Sequence, residues 1–263
     1  MIKLIINGDD FGMTDGVCRA IRELLDAGAI SSTSVMVAVH AAPERCKRWG
    51  ISSLRGVAGV HLQLTNGRPT LKTGDARALS DPSSGCFRAD IEALPPELVL
   101  QEWRAQIDLA ADLIGASPSH LDSHRGLHHL PGFVDVYITL AREYRLPVRG
   151  GSDLVCQRMM ENKISGTDVV LFDWTGRDLK AEDLKRQLVT TARSLGGRGS
   201  IEVVSHPGYC DAELIAVSSL NTRRNGDRMA LHEIAASRWL TLNSFVLVSY
   251  SELGIDKTGF AET

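Results

Sequence analysis

The sequence lacks the features that mark several large classes of protein. Its longest apolar runs, such as residues 245–248, fall far short of the roughly 20 residues that a membrane-spanning helix needs. Charge is nearly balanced, at −3 from 29 basic and 32 acidic residues, and no long block of either sign occurs. Because nucleic acid and anionic membranes attract basic chains, we expect neither a nucleic-acid partner nor a membrane span.

The sequence also lacks the cysteine patterns of disulfide frameworks and thiolate metal sites. The five cysteines are odd in number, scattered, and form no C-x-x-C pair: Cys18, Cys46, Cys86, Cys156 and Cys210. This pattern is typical of unpaired structural thiols in a reducing compartment, rather than of disulfides or a thiolate metal site. The N-terminus reaches the acidic residues Asp9 and Asp10 too soon for a signal peptide. Both features predict a cytoplasmic location.

Short β-rich runs alternate with amphipathic helical stretches, without an internal repeat or low-complexity tract. We predict strands at residues 4–7, 34–39, 56–64, 120–123, 147–149, 200–205 and 245–249. We predict helices at residues 16–28, 41–48, 97–115, 134–144, 183–195 and 228–240. Strand–helix alternation is typical of a parallel sheet covered by helices. Since no G-x-G-x-x-G fingerprint follows the first strand, we predict an α/β barrel of about seven parallel strands, with residues 1–263 as one domain.

Residues 66–96 depart from this alternation. Gly, Pro, Ser and Asp punctuate the segment and its hydrophobic periodicity fades, so we predict a long loop over one face of the fold. Loops of this length within a compact domain are usually functional or disordered, and we favour a functional one.

The unusual polar residues fall where predicted strands end. Catalytic groups of parallel barrels collect at the carboxyl ends of the strands, so these residues should share one rim. Asp9 and Asp10 follow the first strand, and two adjacent carboxylates usually need a cation or a proton. Further His, Asp or Arg side chains end four other strands: His61, Asp122 with His124, Arg149, and His206. Five strands that deliver such groups predict a site at this rim.

One carboxylate and two imidazoles make a three-ligand face that leaves positions open for water or substrate. A cation held there lowers the pKa of bound water and polarises a carbonyl group. Such chemistry also needs a base and an acid. Asp10, His61 and His124 can supply the ligands, Asp9 the base, and His206 the acid.

Each of these residues also has a structural interpretation. A histidine at a strand end is commonly hydrogen-bonded within the fold, and His206 could belong only to a turn. The two aspartates, Asp9 and Asp10, could cap the following helix. Arg149 either anchors a substrate oxygen or pairs with Asp122 or Asp9.

Taken in order, these residues resemble the motifs of the YdjC/ChbG-like carbohydrate deacetylase family. Residues 7–12 read N-G-D-D-F-G, similar to that family's N-A-D-D-F-G. Residues 59–65 read G-V-H-L-Q-L-T and are followed by G-R-P at 67–69. Residues 120–128 resemble the family's H-x-D-S-H-x-x-x-H, and residues 206–211 resemble its H-P-G-x-x-D. Four ordered motifs make this resemblance specific.

The resemblance implies a distorted (β/α) TIM-like barrel that hydrolyses an N-acetyl group from an amino sugar, oligosaccharide or glycoconjugate. It matches Asp10, His61 and His124 to the ligands of one divalent metal ion, Mg²⁺ or Zn²⁺. It matches Asp9 to the base and His206 to the acid, and it implies a homodimer.

Two departures from the family pattern bear on the substrate. Gly8 replaces the usual alanine, which is a small change beside the acids. Residues 125–127 read R-G-L, where members often carry a further histidine and an aliphatic residue. An arginine beside a metal ligand could recognise a carboxylate or phosphate, so we predict substrate contacts for Arg125 and Arg149.

Two other functions remain open from the sequence. A sugar isomerase, an epimerase or a phosphoesterase could use a similar barrel, although the predicted rim offers no lysine and few carboxylates for such reactions. A non-catalytic carbohydrate-binding relative would need a stacking surface, and the chain has only 4 Trp, 4 Tyr and 6 Phe. Binding alone would also not require a base beside the metal ligands.

Overall fold

A computed structural model describes residues 1–175 and 180–253 of the chain. The predicted domain, residues 1–263, therefore includes ten C-terminal residues and a short internal segment that lie outside the described residues. The strands are β1 (Ile2–Phe11), β2 (Ser32–Val35), β3 (Ala58–Leu62), β4 (Leu121–Ser123), β5 (Val169–Leu171), β6 (Gly199–Ser205) and β7 (Phe245–Leu247). The α-helices are α1 (Asp15–Asp26), α2 (Ala42–Arg48), α3 (Ala76–Leu79), α4 (Pro96–Ile114), α5 (Pro131–Tyr144), α6 (Asp153–Asn162), α7 (Ala181–Ser194), α8 (Ala212–Val217), α9 (Arg224–Ala236) and α10 (Trp239–Leu242).

The strands form one parallel sheet in the order β4-β3-β2-β1-β6-β5, and β7 pairs with β1. The central strand is β1, which pairs with β6 along residues 2–8, with β2 along residues 7–11 and with β7 along residues 2–4. Every residue of β1 except Lys3 is buried, as expected for a strand covered on both faces. These observations confirm the predicted α/β fold with about seven parallel strands in a single domain.

The barrel is distorted because its ladders do not close into a ring. Within the described residues the sheet runs from β4 to β5 as a half-barrel. Beyond β4 there is one parallel bridge, between Leu121 and Val148, where a strand over residues 147–149 was predicted. Pro147 has no backbone N–H to donate to a neighbouring strand, which helps to explain why only a single bridge forms here. Val148 N–H donates to Ser165 O at 2.9 Å, which links this segment to the chain that enters β5.

Several elements of the structure differ from the prediction, and α3 and α8 are among the helices that were not predicted. The sequence did not predict α6 or β5, and α9 begins four residues before the predicted start at Arg228. Only Val155 and Met159 of α6 are buried, and β5 is only half-buried, so neither shows a strong hydrophobic period. The start of α6 is capped by the Ser152 hydroxyl, which accepts the Val155 N–H at 3.4 Å.

The segment 66–96 contains only α3 and an isolated bridge between Ser80 and Phe87. Its start is fastened to α4 by the buried Glu102 carboxylate, which accepts the N–H groups of Thr70 and Leu71 at 2.9 Å each. The start of the segment is therefore held against α4.

Helices pack on the sheet and enclose the hydrophobic core. In the interface between α4 and α5, Trp103 lies edge-on to Phe133 with ring centroids 5.8 Å apart. All five cysteines are free, and Cys18 and Cys46 are fully buried. Among the described residues, we find no helix with the length and apolar character needed to cross a membrane.

Candidate active site

The two adjacent aspartates are placed by an irregular end of β1. Asp10 has φ of 74°, in the left-handed region, and the pairing with β2 shifts register between Gly8 and Phe11. Such a backbone costs about 1–3 kcal/mol for a residue other than glycine. Neighbouring side chains of a regular strand point to opposite faces, whereas Asp9 and Asp10 here both approach His61. The distorted strand end therefore brings two carboxylates to one site.

Asp10, His61 and His124 form a three-membered cluster. Asp10 Oδ1 lies 3.3 Å from His61 Nε2 and 3.3 Å from His124 Nδ1, and the three candidate ligand atoms lie within 4.8 Å of one another. Asp10 Oδ1 and His61 Nε2 are buried without a hydrogen-bond partner among the described residues. A buried polar atom without a partner is costly, and a cation between these atoms would satisfy both. The donor set therefore fits one divalent metal ion.

Asp122 orients His61 toward this cluster. Asp122 Oδ1 lies 2.7 Å from His61 Nδ1. Burial raises the pKa of Asp122, but the neighbouring Arg149 and His61 charges outweigh it and hold that pKa well below its usual range. Since an ionised carboxylate only accepts hydrogen bonds, His61 Nδ1 carries a proton, and Nε2 is the atom that faces Asp10 and could bind a cation. Burial opposes the imidazolium form, but the carboxylates of Asp122 and Asp10 outweigh it and raise the pKa of His61 to about 10. Without a cation His61 is therefore protonated at both nitrogens at neutral pH, and a bound metal ion would replace the proton on Nε2.

Asp9, His61 and Asp122 form a second cluster with ligand atoms within 4.8 Å, but an arginine already supplies its positive charge. Arg149 donates from Nη1 and Nη2 to the two Asp9 oxygens at 2.8 Å each, and its Nη2 lies 2.9 Å from Asp122 Oδ2. Its Nε donates to Glu202 Oε1 at 2.8 Å. This guanidinium neutralises the second cluster, so the first cluster is the better candidate for a metal ion.

Arg224, from the first turn of α9, contacts the other side of Asp10. Its Nη2 donates to Asp10 Oδ2 at 2.6 Å, and both side chains are buried. Burial raises the pKa of Asp10, but Arg224 and the two imidazoles outweigh that effect and hold the pKa well below its usual range. Arg224 was not predicted as a site residue, because the predicted helix began later and no local pattern marks a contact across 214 positions.

His206 follows β6 and is held by a chain of hydrogen bonds. Thr175 Oγ1 donates to Asp227 Oδ2 at 2.6 Å, so it must accept the proton of His206 Nδ1, which lies 2.7 Å away. Asp227 Oδ2 also accepts the backbone N–H of His206 at 2.9 Å. This arrangement leaves His206 Nε2 facing the site, 3.9 Å from Asp9 Oδ2. Burial lowers the pKa of His206, which favours the neutral imidazole.

A cavity of about 480 Å³ opens beside these groups. Its walls include Asp9, His61, His128, His129, Arg125, Arg149, Gly151, Phe172, Thr175 and His206. Phe172 packs edge-on to His129, and this position of Phe172 requires a glycine next to it. Gly151 has φ of 106°, and a Cβ there would lie 2.4 Å from the Phe172 ring.

The structure thus brings the predicted residues Asp9, Asp10, His61, His124, His206 and Arg149 into one site. Arg125 is exposed at the cavity wall, with φ of 56°. Arg149 is only 2% exposed, and carboxylates surround its guanidinium, so its predicted contact with substrate stays a prediction. Thr175 and Asp227, which hold His206 from outside the motifs, were also not predicted.

Comparisons with known proteins identify the family of the chain. The family model described as "YdjC-like protein" matches residues 3–241. A carbohydrate deacetylase of Brevibacillus brevis is 30% identical over 259 residues, which cover 96% of this chain and 100% of the relative. A carbohydrate deacetylase of Oceanobacillus iheyensis is 32% identical over 252 residues, covering 91% and 100%. The crystal structure of a protein from Enterococcus faecalis superposes on this chain with a TM-score of 0.83. The two chains are 26% identical, and the superposition covers 96% of this chain and 99% of the other. This chain belongs to the YdjC-like protein family.

Proposed function

We propose that the protein is a carbohydrate N-deacetylase that depends on one divalent metal ion and removes an acetyl group from an amino sugar or a glycoconjugate. The observation that carries the proposal is the pair of buried, unpartnered atoms Asp10 Oδ1 and His61 Nε2 beside His124. The relatives described as carbohydrate deacetylases, which match nearly the whole chain, support the reaction class.

In this proposal Asp10, His61 and His124 hold the ion, Mg²⁺ or Zn²⁺. When bound, the ion supplies a water of lowered pKa and polarises the acetyl carbonyl. The two imidazole ligands suit Zn²⁺, and the carboxylate suits either ion. Asp122 keeps His61 in the tautomer that can coordinate.

Asp9 acts as the base that accepts the proton of the attacking water. Its carboxylate is held in place by the two Arg149 hydrogen bonds and by Asn7 Nδ2, which donates to Oδ1 at 2.7 Å. Arg149 thereby fixes the orientation of the base, and Asp9 Oδ2 remains on the side of the site that faces His206. A base held in one orientation needs little reorientation before it reaches a reactive geometry.

His206 acts as the acid that protonates the leaving amine. Its Nδ1–H is occupied by Thr175, so proton transfer takes place at Nε2. Because burial favours the neutral imidazole, Nε2 can first receive the proton that Asp9 took from water. The same proton then passes to the amine nitrogen as the carbon–nitrogen bond breaks, and acetate leaves with the water oxygen.

The cavity beside Asp9 is the proposed binding site for the sugar. Arg125 is exposed at its wall and is placed to recognise a carboxylate or phosphate on the substrate. The predicted homodimer and cytoplasmic location stay predictions from the resemblance and from the cysteine pattern.

The test is acetate release from a panel of N-acetylated mono-, di- and lipid-linked sugars, with and without EDTA. We expect release that EDTA abolishes and added metal restores. In Asp9→Asn we expect metal binding to persist while turnover falls by about 10²- to 10⁴-fold, the range for loss of a general base. Full turnover in this variant would remove Asp9 from its role. Formation of phosphate or a ketose instead of acetate would identify a different reaction.

A further inference from the structure

Arg224 is fixed against Asp10 from several directions. Its Nε donates to Leu220 O at 2.8 Å, and its Nη2 donates to Asp10 Oδ2 at 2.6 Å. The side chain packs on Gly208, where an added Cβ would lie 3.1 Å from Arg224 Cδ, and the Gly208 N–H donates to Arg224 O at 3.3 Å. With 1% of its surface exposed, Arg224 has little freedom to leave Asp10.

The two oxygens of Asp10 therefore face different partners. Oδ1 faces His61 and His124, whereas Oδ2 is occupied by the guanidinium of Arg224. We propose that Arg224 is a positioning residue that limits Asp10 to a single metal-binding oxygen, and so selects ions of low coordination number over Ca²⁺. This inference rests on the proposed metal site of Asp10, His61 and His124.

The selectivity follows from the ligands that each ion prefers. Ca²⁺ takes about 6–8 oxygen ligands and often binds a carboxylate through both oxygens, whereas Zn²⁺ is commonly satisfied by about four ligands. Occupation of Oδ2 removes a ligand that Ca²⁺ would use and that Zn²⁺ does not need. The positive charge of Arg224 repels both divalent ions alike, so repulsion should largely cancel in the ratio of their dissociation constants.

The experiment measures Kd for Zn²⁺ and for Ca²⁺ by calorimetry, without substrate, in the wild-type chain and in Arg224→Met, Arg224→Lys and Arg228→Met. We expect the ratio of the Ca²⁺ to the Zn²⁺ Kd to fall by about tenfold or more in Arg224→Met, because Oδ2 becomes available. Arg224→Lys keeps a charged donor and should change the ratio by less than about threefold. Arg228→Met is the matched control, since Arg228 lies in the same helix as Arg224 but contacts Asn225 and the Tyr209 ring.

Circular dichroism and thermal unfolding establish whether each variant is folded. An unchanged ratio in folded Arg224→Met would overturn the inference. If that variant does not fold, a crystal structure of the wild-type chain with Zn²⁺ decides: Asp10 bound through Oδ1 alone, with Arg224 on Oδ2, supports the inference, and two-oxygen binding overturns it. A wild-type chain that binds neither ion would overturn the metal site as well. Failure to release acetate would instead affect only the proposed reaction.

Discussion

Replacement of Arg149 by methionine removes the positive charge that pairs with three buried carboxylates. Arg149 contacts Asp9, Asp122 and Glu202 at 2.8–2.9 Å, and all four side chains are at most 2% exposed. Removing one partner of a buried ion pair costs about 3–5 kcal/mol, because the remaining charge stays desolvated. We expect the free energy of unfolding to fall by about this amount, out of the roughly 5–15 kcal/mol typical of a domain.

Urea unfolding at neutral pH measures this loss, and thermal unfolding should show a Tm lower by about 6–20 °C. Arg104→Met is a matched control because Arg104 also makes a two-pronged pair, with Glu143 at 2.8 Å for each bond, but on the surface. The control should lose less than about 1 kcal/mol. Equal losses in the two variants would refute the reasoning that burial makes the Arg149 pairs costly to break.

The effect of Arg149→Met should also depend on pH. Although burial raises the pKa of Asp122, Arg149 and His61 depress it below the unfolded value, so the pairing stabilises the fold above about pH 3.9. That contribution is lost as the pH falls through the folded pKa. The difference in free energy of unfolding between the wild-type chain and Arg149→Met should therefore become smaller in acid. A difference that stays constant down to about pH 2 would contradict an origin in the pairing of Arg149 with ionised Asp122.

Two further substitutions test the groups around the site. Asp122→Ala should weaken metal binding by about 10- to 100-fold in calorimetry, because His61 loses the carboxylate that fixes its tautomer. Asp122→Asn keeps a hydrogen-bond acceptor and should lose less metal affinity. An unchanged Kd in both variants would exclude a role of Asp122 in orienting His61. Burial raises the pKa of Glu102, so the folded state retains its proton longer than the unfolded state. The free energy of unfolding should therefore fall as the pH rises from about 4.3 toward the folded pKa, and Glu102→Gln should lack this slope in urea unfolding. If the free energy of unfolding depended on pH in the same way in the wild-type chain and in Glu102→Gln, Glu102 would be ruled out as the source of the slope.

The sequence predicted the centre of the site because strand ends obey a simple geometric rule. Asp10 lies at the end of β1, His61 lies in β3 and His124 directly follows β4. These strands are distant in the chain, but in the sheet β4 neighbours β3 and only β2 separates β3 from β1. The carboxyl ends of parallel strands share one edge, so polar residues at those positions meet. The strands before Asp9 and His206 were also predictable, because buried parallel strands are nearly continuous apolar segments.

The supporting residues were not predictable in this way. The first turn of α9 reads Arg-Asn-Gly-Asp, which has no apolar residue at helical spacing, so the predicted helix began after it. Thr175 lies in an irregular segment after β5, a strand that is itself only half-buried. The contacts of Arg224 and Asp227 with the rim depend on how α9 packs against the sheet. Local patterns of residues contain no information on such packing.

The first turn of α9 connects the two halves of the site. Arg224 and Asp227 are three positions apart and therefore lie on one face of the helix. Arg224 holds the carboxylate of Asp10, whereas Asp227 holds the backbone N–H of His206 and the hydroxyl of Thr175. The two contacts have opposite charges and fix a proposed metal ligand and the proposed acid relative to one rigid element. A displacement of this turn would therefore move both groups together. In the proposed reaction, the spacing between the metal ligand Asp10 and the acid His206 is thus set by one turn of helix rather than by two independent loops.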